Sequence, residues 1–361
     1  MENPSSAPSI CAHCQNSTTK KCSGCSDAPR YDKETPQPTF YCSRVCQKSD
    51  WDRHKTNCKR LQTRKTLSRA ASFLQAIFYR IRLHAYPLQF TTVRAVGSTV
   101  YLEGYKGEVS RLQRQLTPFS ADVKGGQDIL DAALVYIGCS EAMVYLYAFV
   151  AALLMDISFT VEEIQFEATN NKLSIKTCFA NGGDQFGHFP GHNVYRITLL
   201  NGEVWAIDPS GAQYGYHGAL YPWSELAAHR VGKAKHEFHF GYFRDTFRLQ
   251  YGLFRRTQND VSELTEQLDL AMAIEGKIDV LVKPYAGKLK TILKGSDAAF
   301  GKAKAEFLGR LEAVIVTSLD EIYQPERIVR RTKEVQRRLH LIEQGVGVSC
   351  IGIEDMMILA F

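Results

Sequence analysis

From Lys59 to Tyr86 the apolar positions Leu67, Ala70, Ala71, Leu74, Ile77, Phe78 and Ile81 recur at intervals of three and four, which predicts one amphipathic helix. Gln89 to Leu102 alternates instead, about Gly97-Ser98, and predicts a pair of strands. An apolar run from Ala142 to Met155, closed by Glu141 and Asp156, begins just after Cys139. Its fourteen residues are too few to cross a hydrocarbon layer of ~30 Å and predict a buried helix. Strands are then expected at Glu163–Ala168, Lys172–Phe179, Val194–Leu200 and Glu203–Ile207. Residues 260–345 are charged and amphipathic at helical spacing, without coiled-coil heptads. The order, a helix followed by an antiparallel meander, predicts an α+β domain with a helical C-terminal region.

Composition narrows the class. With 361 residues, 45% hydrophobic and 23% charged, the chain is globular and long enough for two domains and a small third element. MENPSSAPSI has neither a basic stretch nor an apolar core, so no secretory signal is expected, and a cytoplasmic or nuclear location is. The net charge of +6 is local: residues 1–70 hold 13 Lys/Arg against 6 Asp/Glu. Seven basic residues and no acidic one lie between Arg53 and Arg69. Such a run reads as a solvated helix face; nucleic acid is the lesser reading, because interleaved aromatics and a nucleic-acid fold signature are missing.

Cysteine spacing carries the clearest chemistry. Seven of the ten cysteines lie between Cys11 and Cys58, in the order Cys11-x-x-Cys14, Cys22-x-x-Cys25, Cys42-x-x-x-Cys46 and His54-x-x-x-Cys58. Each short pair supplies two donors from one turn of backbone, and eight donors fill two closed tetrahedral zinc sites, leaving none open for a catalytic water. The pieces Tyr41-Cys42-Ser43, Cys46-Gln47, Trp51 and His54-Lys55-x-x-Cys58 closely resemble the MYND zinc finger over residues 11–58. The resemblance implies a cross-brace, with Cys11, Cys14, Cys42 and Cys46 on one ion and Cys22, Cys25, His54 and Cys58 on the other. It also implies an interaction module that accepts extended proline-containing peptides, with Gln47 and Trp51 at groove positions. The insert Ser26–Tyr41, which carries Pro29, Pro36 and Pro38, departs from the family and reads as a solvent loop. A SET methyltransferase partner domain is not expected, since no Asn-His-x-Cys motif occurs and Cys350 stands alone near the C-terminus.

Several other motifs fail. Gly276-Lys277, Gly287-Lys288 and Gly301-Lys302 lack a following Ser or Thr, and His236-Glu237-Phe238-His239 has the wrong spacing for a zincin. One constellation survives. Cys139 opens the apolar helix, where positive potential lowers a thiol pKa, with Ser140 or Cys139 itself as cap. Downstream, Gly191-His192-Asn193 opens one strand and Trp205-Ala206-Ile207 ends in Asp208-Pro209. A three-residue turn, Leu200-Asn201-Gly202, places Tyr195, Ile197, Leu199, Trp205 and Ile207 on one face and His192, Val194, Val204, Ala206 and Asp208 on the other. That register segregates apolar side chains better than a two-residue turn, and it lets Asp208 meet His192. Cys178, mid-strand, and His188 are weaker rivals.

The stretch from Cys139 to Gly215 resembles the transglutaminase-like and papain-like core, in which Cys opens a helix, Gly-His a strand, and an aromatic strand ends in Asp-Pro. The resemblance implies Cys139 as nucleophile, His192 as general base and Asp208 as its orienting group. Asn193 stands where that family usually has Ala-Trp, and no upstream Gln or Trp is placed as an oxyanion donor. The expected organisation is a zinc finger at 1–60, a linking helix at 61–88, an α+β body at 89–257 and a helical region at 258–361. The leading expectation is an adaptor that binds proline-containing partners, with no membrane involvement. The alternative is a thiol enzyme acting on amide bonds (a peptidase, deamidase or transamidase) recruited by the finger.

Overall fold

The computed structural model describes residues 9–105, 115–180, 184–185, 191–250 and 258–344. Cys350 and His188 lie outside them. The chain begins with a short hairpin of β1 (Ser9–Ile10) and β2 (Ser17–Thr18), then α1 (Arg44–Ser49) and α2 (Trp51–His84). The Ser43 hydroxyl caps α1 by accepting from Cys46 N. α2 starts eight residues earlier than the apolar pattern predicts, because its first two turns bury His54 and Cys58 instead of aliphatic side chains. From Leu61 to Ile81 the same stripe continues as Leu67, Ala70, Ala71, Leu74 and Phe78, so one unbroken helix serves both the finger and the body.

The body follows as β3 (Thr92–Val96), β4 (Thr99–Tyr105), β5 (Asp122–Lys124), α3 (Gln127–Leu134), α4 (Cys139–Leu154), β6 (Ser158–Ala168), β7 (Ser174–Phe179) and β8 (Asp184–Gln185). Then come β9 (Gly191–Leu199), β10 (Val204–Ile207), β11 (Leu220–Pro222), α5 (Trp223–Arg230), β12 (Val231–His239) and α6 (Tyr242–Gln250). The remaining helices are α7 (Gln258–Gly276), α8 (Ile278–Val282), α9 (Asp297–Ile322) and α10 (Pro325–Glu343). No single helix among the described residues is long and apolar enough to cross a membrane.

The fold is α+β with two sheets rather than one meander. β11-β10-β9-β6-β12 form an antiparallel sheet, and β5-β3-β4-β7-β8 a mixed one. β7, expected beside β6 and β9, instead runs parallel to β4 with Ser174 opposite Thr99, while β6 pairs directly with β9. Period-2 alternation identifies a strand but not its partner. The β9–β10 register is the one the three-residue turn predicts: Thr198 faces Val204 and Tyr195 faces Ile207. Gly202 takes φ 85° there, the left-handed conformation the turn requires. Tyr195, Ile197, Leu199, Trp205 and Ile207 accordingly enter the main core with α2 and α4, while Val194 and Ala206 face Leu226 of α5.

The insert at 26–41 is not a solvent loop along its first half. Tyr31 packs on Trp205 with ring centroids 5.0 Å apart, and its hydroxyl accepts from Val204 N at 3.0 Å. Glu34 accepts from Arg60 and from Arg64 Nη2 at 2.7 Å. Arg64, fully buried, donates its Nε to both carboxylate oxygens of Glu203 at 2.9 Å. The basic run is a solvated face only in its first half: Arg53, Lys55 and Lys59 are exposed, whereas Arg64 and Arg69 are buried. Arg53 pairs with Asp50, Lys55 with Asp52, Arg60 with Glu34, Arg64 with Glu203, and Lys65 and Arg69 with Asp297. Charge alone does not distinguish a solvated lysine or arginine from one paired across a seam.

Removing one partner of a buried ion pair strands the other charge. Arg64→Ala is therefore expected to cost about 3–5 kcal/mol in urea denaturation. Arg60→Ala, on the more exposed side of the same seam, is expected to cost no more than about 1 kcal/mol.

Candidate metal centre and the buried Cys-His-Asp set

Two knuckles and two helices bring the eight metal donors together. Cys11 and Cys14 flank a turn in which Gln15 N donates to Cys11 O at 3.0 Å and Gln15 adopts φ 61°. Cys22 and Cys25 close a second turn, with Ser26 N donating to Cys22 O at 2.9 Å. Cys42 lies just before Ser43, the cap of α1, Cys46 lies within that helix, and His54 and Cys58 are one turn apart on α2.

The donors sort into two groups, Cys11-Cys14-Cys42-Cys46 and Cys22-Cys25-His54-Cys58, with every donor atom in a group within 4.8 Å of the others. Cys14 Sγ and Cys46 Sγ each lie 3.4 Å from Cys42 Sγ. In the second group, Cys22 Sγ is 3.8 Å from Cys58 Sγ, and Cys25 Sγ is 3.6 Å from His54 Nε2. Tetrahedral zinc with bonds of ~2.3 Å to sulfur sets its ligands roughly 3.8 Å apart, so the spacing fits one zinc ion in each group. Four protein donors close each site, which leaves the metal a structural role. Burial lowers the His54 pKa, which favours the neutral ring that a metal needs.

Outer contacts complete this centre. Gln47 Nε2 donates to Cys22 Sγ at 3.3 Å, and Gln62 Nε2 approaches Cys58 Sγ at 3.6 Å. Such donors orient a thiolate and temper its charge. Tyr41 sets its ring edge-on to His54 and donates its hydroxyl to Asp50 at 2.7 Å. Trp51 lies edge-on to the same imidazole at 6.3 Å and remains 39% exposed. Sequence reasoning missed Gln62, although its position one helical turn beyond Cys58 was the available signal.

Residues 11–58 match the family model of the MYND finger. Comparison with curated proteins found no match for the chain, and comparison with solved structures found none. The MYND finger accounts for the two zinc groups, and its last two ligands stand on the helix that enters the body.

The second candidate set lies in the body. Gly138, not Ser140, occupies the cap position of α4, which makes Cys139 the first helical residue. Ile137, just before, holds φ 49°, a strained value for a β-branched residue. His192 Nε2 is 3.0 Å from Asp208 Oδ1, both side chains being fully buried. Asp208 Oδ2 also accepts from Arg230 Nη2 at 2.6 Å. Burial opposes ionisation of Asp208, but His192 and Arg230 outweigh it and hold the carboxyl down at about 2.

The thiol has different neighbours. Cys139 Sγ lies 3.6 Å from Asn193 Nδ2 and 3.8 Å from Gly191 O. Asn193 Nδ2 also donates to Ser140 Oγ at 2.8 Å. Burial pushes the thiol up to about 11 despite the opposing contacts of Asn193 and Ser140, the reverse of the expected lowering at a helix N-terminus. Gln213 Oε1 accepts from Ile137 N at 3.1 Å, which turns its amide nitrogen toward His192 Nδ1 at 3.5 Å. Both ring nitrogens of His192 thus face side chains other than the thiol. Asn193 was legible as a departure from the thiol-enzyme pattern, whereas nothing local marked Gln213 or Arg230.

Native mass spectrometry is expected to find two zinc ions per chain. Because α2 continues unbroken from the ligands into the core, chelation is expected to lower the melting temperature of the body as well as unfold the finger. For Cys139, a thiol near 11 carries on the order of a few hundredfold less thiolate at neutral pH than a free cysteine of pKa ~8.5. Iodoacetamide at pH 7 is therefore expected to label the half-buried Cys178 well before Cys139 in the native protein, as read by peptide mass mapping.

Proposed function

We propose that the protein is an adaptor. Its MYND finger receives extended, proline-containing segments of partner proteins, and its body is a rigid platform that sets the finger's orientation in the reducing cytoplasm or nucleus. The observation that carries this reading is exposed apolar surface on a finger otherwise tied by metal and ion pairs. Ile10, Val45 and Trp51 are 60%, 72% and 39% exposed. A proline-containing segment is stiffened before it docks, and an aromatic such as Trp51 is the usual anchor for it. Gln47, whose amide reaches Cys22, supports the same surface by holding a zinc ligand in place.

The body is read as a transglutaminase- or papain-like core that serves as scaffold. The order Cys139 on a helix, His192 on a strand and Asp208 at the end of the next strand supports the likeness. The buried, neutral thiol and the Gln213 amide beside His192 Nδ1 favour the platform over amide-bond chemistry. The internal pairing of six of the seven basic residues between Arg53 and Arg69 likewise favours a protein ligand over nucleic acid.

Proline-containing peptides selected from a display library against the full, zinc-loaded chain test the proposal. Trp51→Ala is expected to weaken the selected peptide roughly 10- to 100-fold, as loss of an aromatic anchor does. Unchanged affinity in Trp51→Ala, or a selection dominated by peptides without proline, would count against the reading.

A further inference from the structure

The two zinc groups differ in access and in what touches their sulfurs. All four donors of the Cys22 group are buried. Side-chain amides reach two of its sulfurs, Gln47 Nε2 at Cys22 and Gln62 Nε2 at Cys58. Such donors draw on the charge of a thiolate and weaken its attack on an electrophile. The Cys11 group is open by comparison: Cys14 is exposed, Cys42 and Cys46 are half-buried, and only Cys11 is buried. Among the described residues no side-chain amide reaches its sulfurs; Cys42 Sγ is instead 3.4 Å from both Cys14 Sγ and Cys46 Sγ. Oxidation of a thiolate follows its exposure, and a second thiolate in reach turns the first product into a disulfide. Cys14 meets both conditions, with Cys42 as its resolving partner.

We propose that the Cys11 group is a redox modification site, where a peroxide joins Cys14 to Cys42 and so releases one of the two zinc ions. The Cys14 thiolate attacks a peroxide oxygen; an S–O bond forms, the O–O bond breaks, and hydroxide leaves. That step oxidises Cys14 to a sulfenic acid and reduces the peroxide. The Cys42 thiolate then attacks the Cys14 sulfur; the S–S bond forms, the S–O bond breaks, and a second hydroxide leaves. Both hydroxides take protons from solvent to become water. Cys11 and Cys46 are the donors that remain, too few to close a tetrahedral site. The Cys22 group keeps all four of its ligands, so α2 and the Arg64 seam stay in place. The consequence for partner binding rests on the adaptor reading: the Cys11 group holds the β1–β2 hairpin and α1, and these carry the exposed Ile10 and Val45.

Hydrogen peroxide added to the full, zinc-loaded chain tests this, with zinc counted by native mass spectrometry and disulfides located by peptide mapping. The expected product holds one zinc ion, a Cys14–Cys42 disulfide and a Cys22 group that is still reduced. Its body is expected to melt at an unchanged temperature, unlike that of the chelated protein. A thiol reductant with added zinc is expected to restore the second ion. Cys14→His keeps a donor for the metal without a thiol, and is expected to slow release at least about tenfold. The disulfide map is read on the unaltered chain and holds even where that variant fails to fold. None of these readouts involves a peptide, so they stand or fall apart from the adaptor reading. Release of both ions together, oxidation first in the Cys22 group, or a map that leaves Cys14 reduced would overturn the proposal. So would retention of both ions at millimolar peroxide, or unslowed release from a folded Cys14→His.

Discussion

Arg64 is a fully buried cation, and the arrangement of the molecule follows from what it needs. Removing a guanidinium from water is tolerable only with close, well-oriented anions, and here they come from two distant parts of the chain. Glu203 supplies both carboxylate oxygens from the far side of the β9–β10 turn, and Glu34 supplies one from the insert of the finger. Glu203 also accepts from the Trp205 indole at 3.2 Å, while Tyr31 covers the guanidinium from 5.3 Å and packs on the same tryptophan. One charge on α2 therefore fixes three things together: the rotation of the helix, the path of the insert and the position of the hairpin turn. The finger is fastened to the body by this seam, not merely tethered by a linker.

Asp208 imposes a second constraint at the other end of the hairpin. It too is fully buried, ionised between His192 and Arg230, and it joins the start of β9 to the end of α5. The same three residue types that suggest a nucleophile, a base and an orienting group also make a stable buried network. What separates the two roles is the second ring nitrogen of the histidine. A general base needs that nitrogen directed at the thiol, whereas here the Gln213 amide approaches it and Asn193 approaches the sulfur. Matching residue types and chain order thus establish less about chemistry than the direction of one imidazole edge.

What could be read from the chain was what local geometry determines. Two-residue and three-residue spacers between donors set the zinc groups, because each pair closes within one turn of backbone. Gly202 and the segregation of Trp205 and Ile207 from Ala206 set the hairpin register, because a slip of one would turn every side chain to the wrong face. What could not be read depended on partners far away in sequence. β7 alternates as any strand does and gives no sign that it joins β4 rather than β6. Arg64 is one of seven cations in a row, and only Glu203, 139 residues on, distinguishes it from Lys59. The prolines of the insert suggested a solvent loop, although Tyr31 and Glu34 between them do the docking.

The two zinc groups also differ in what surrounds them. All four donors of the Cys22 group are buried, and two stand on α2 within three turns of Arg64, whereas in the Cys11 group Cys14 is exposed and Cys42 and Cys46 are half-buried. A metal that fixes His54 and Cys58 orders the first turns of α2, and those turns carry Arg60 and Arg64 into the seam. The buried group therefore serves the joint with the body, while the other holds the β1–β2 hairpin and α1, from which Ile10 and Val45 project. At 1.5 Å per residue, the 34 residues of α2 form a rod of about 50 Å, with the finger at one end and the body's core along the rest. A partner held at the finger would be presented to the body at an angle set by that rod and by the Arg64 seam, and not by a flexible linker.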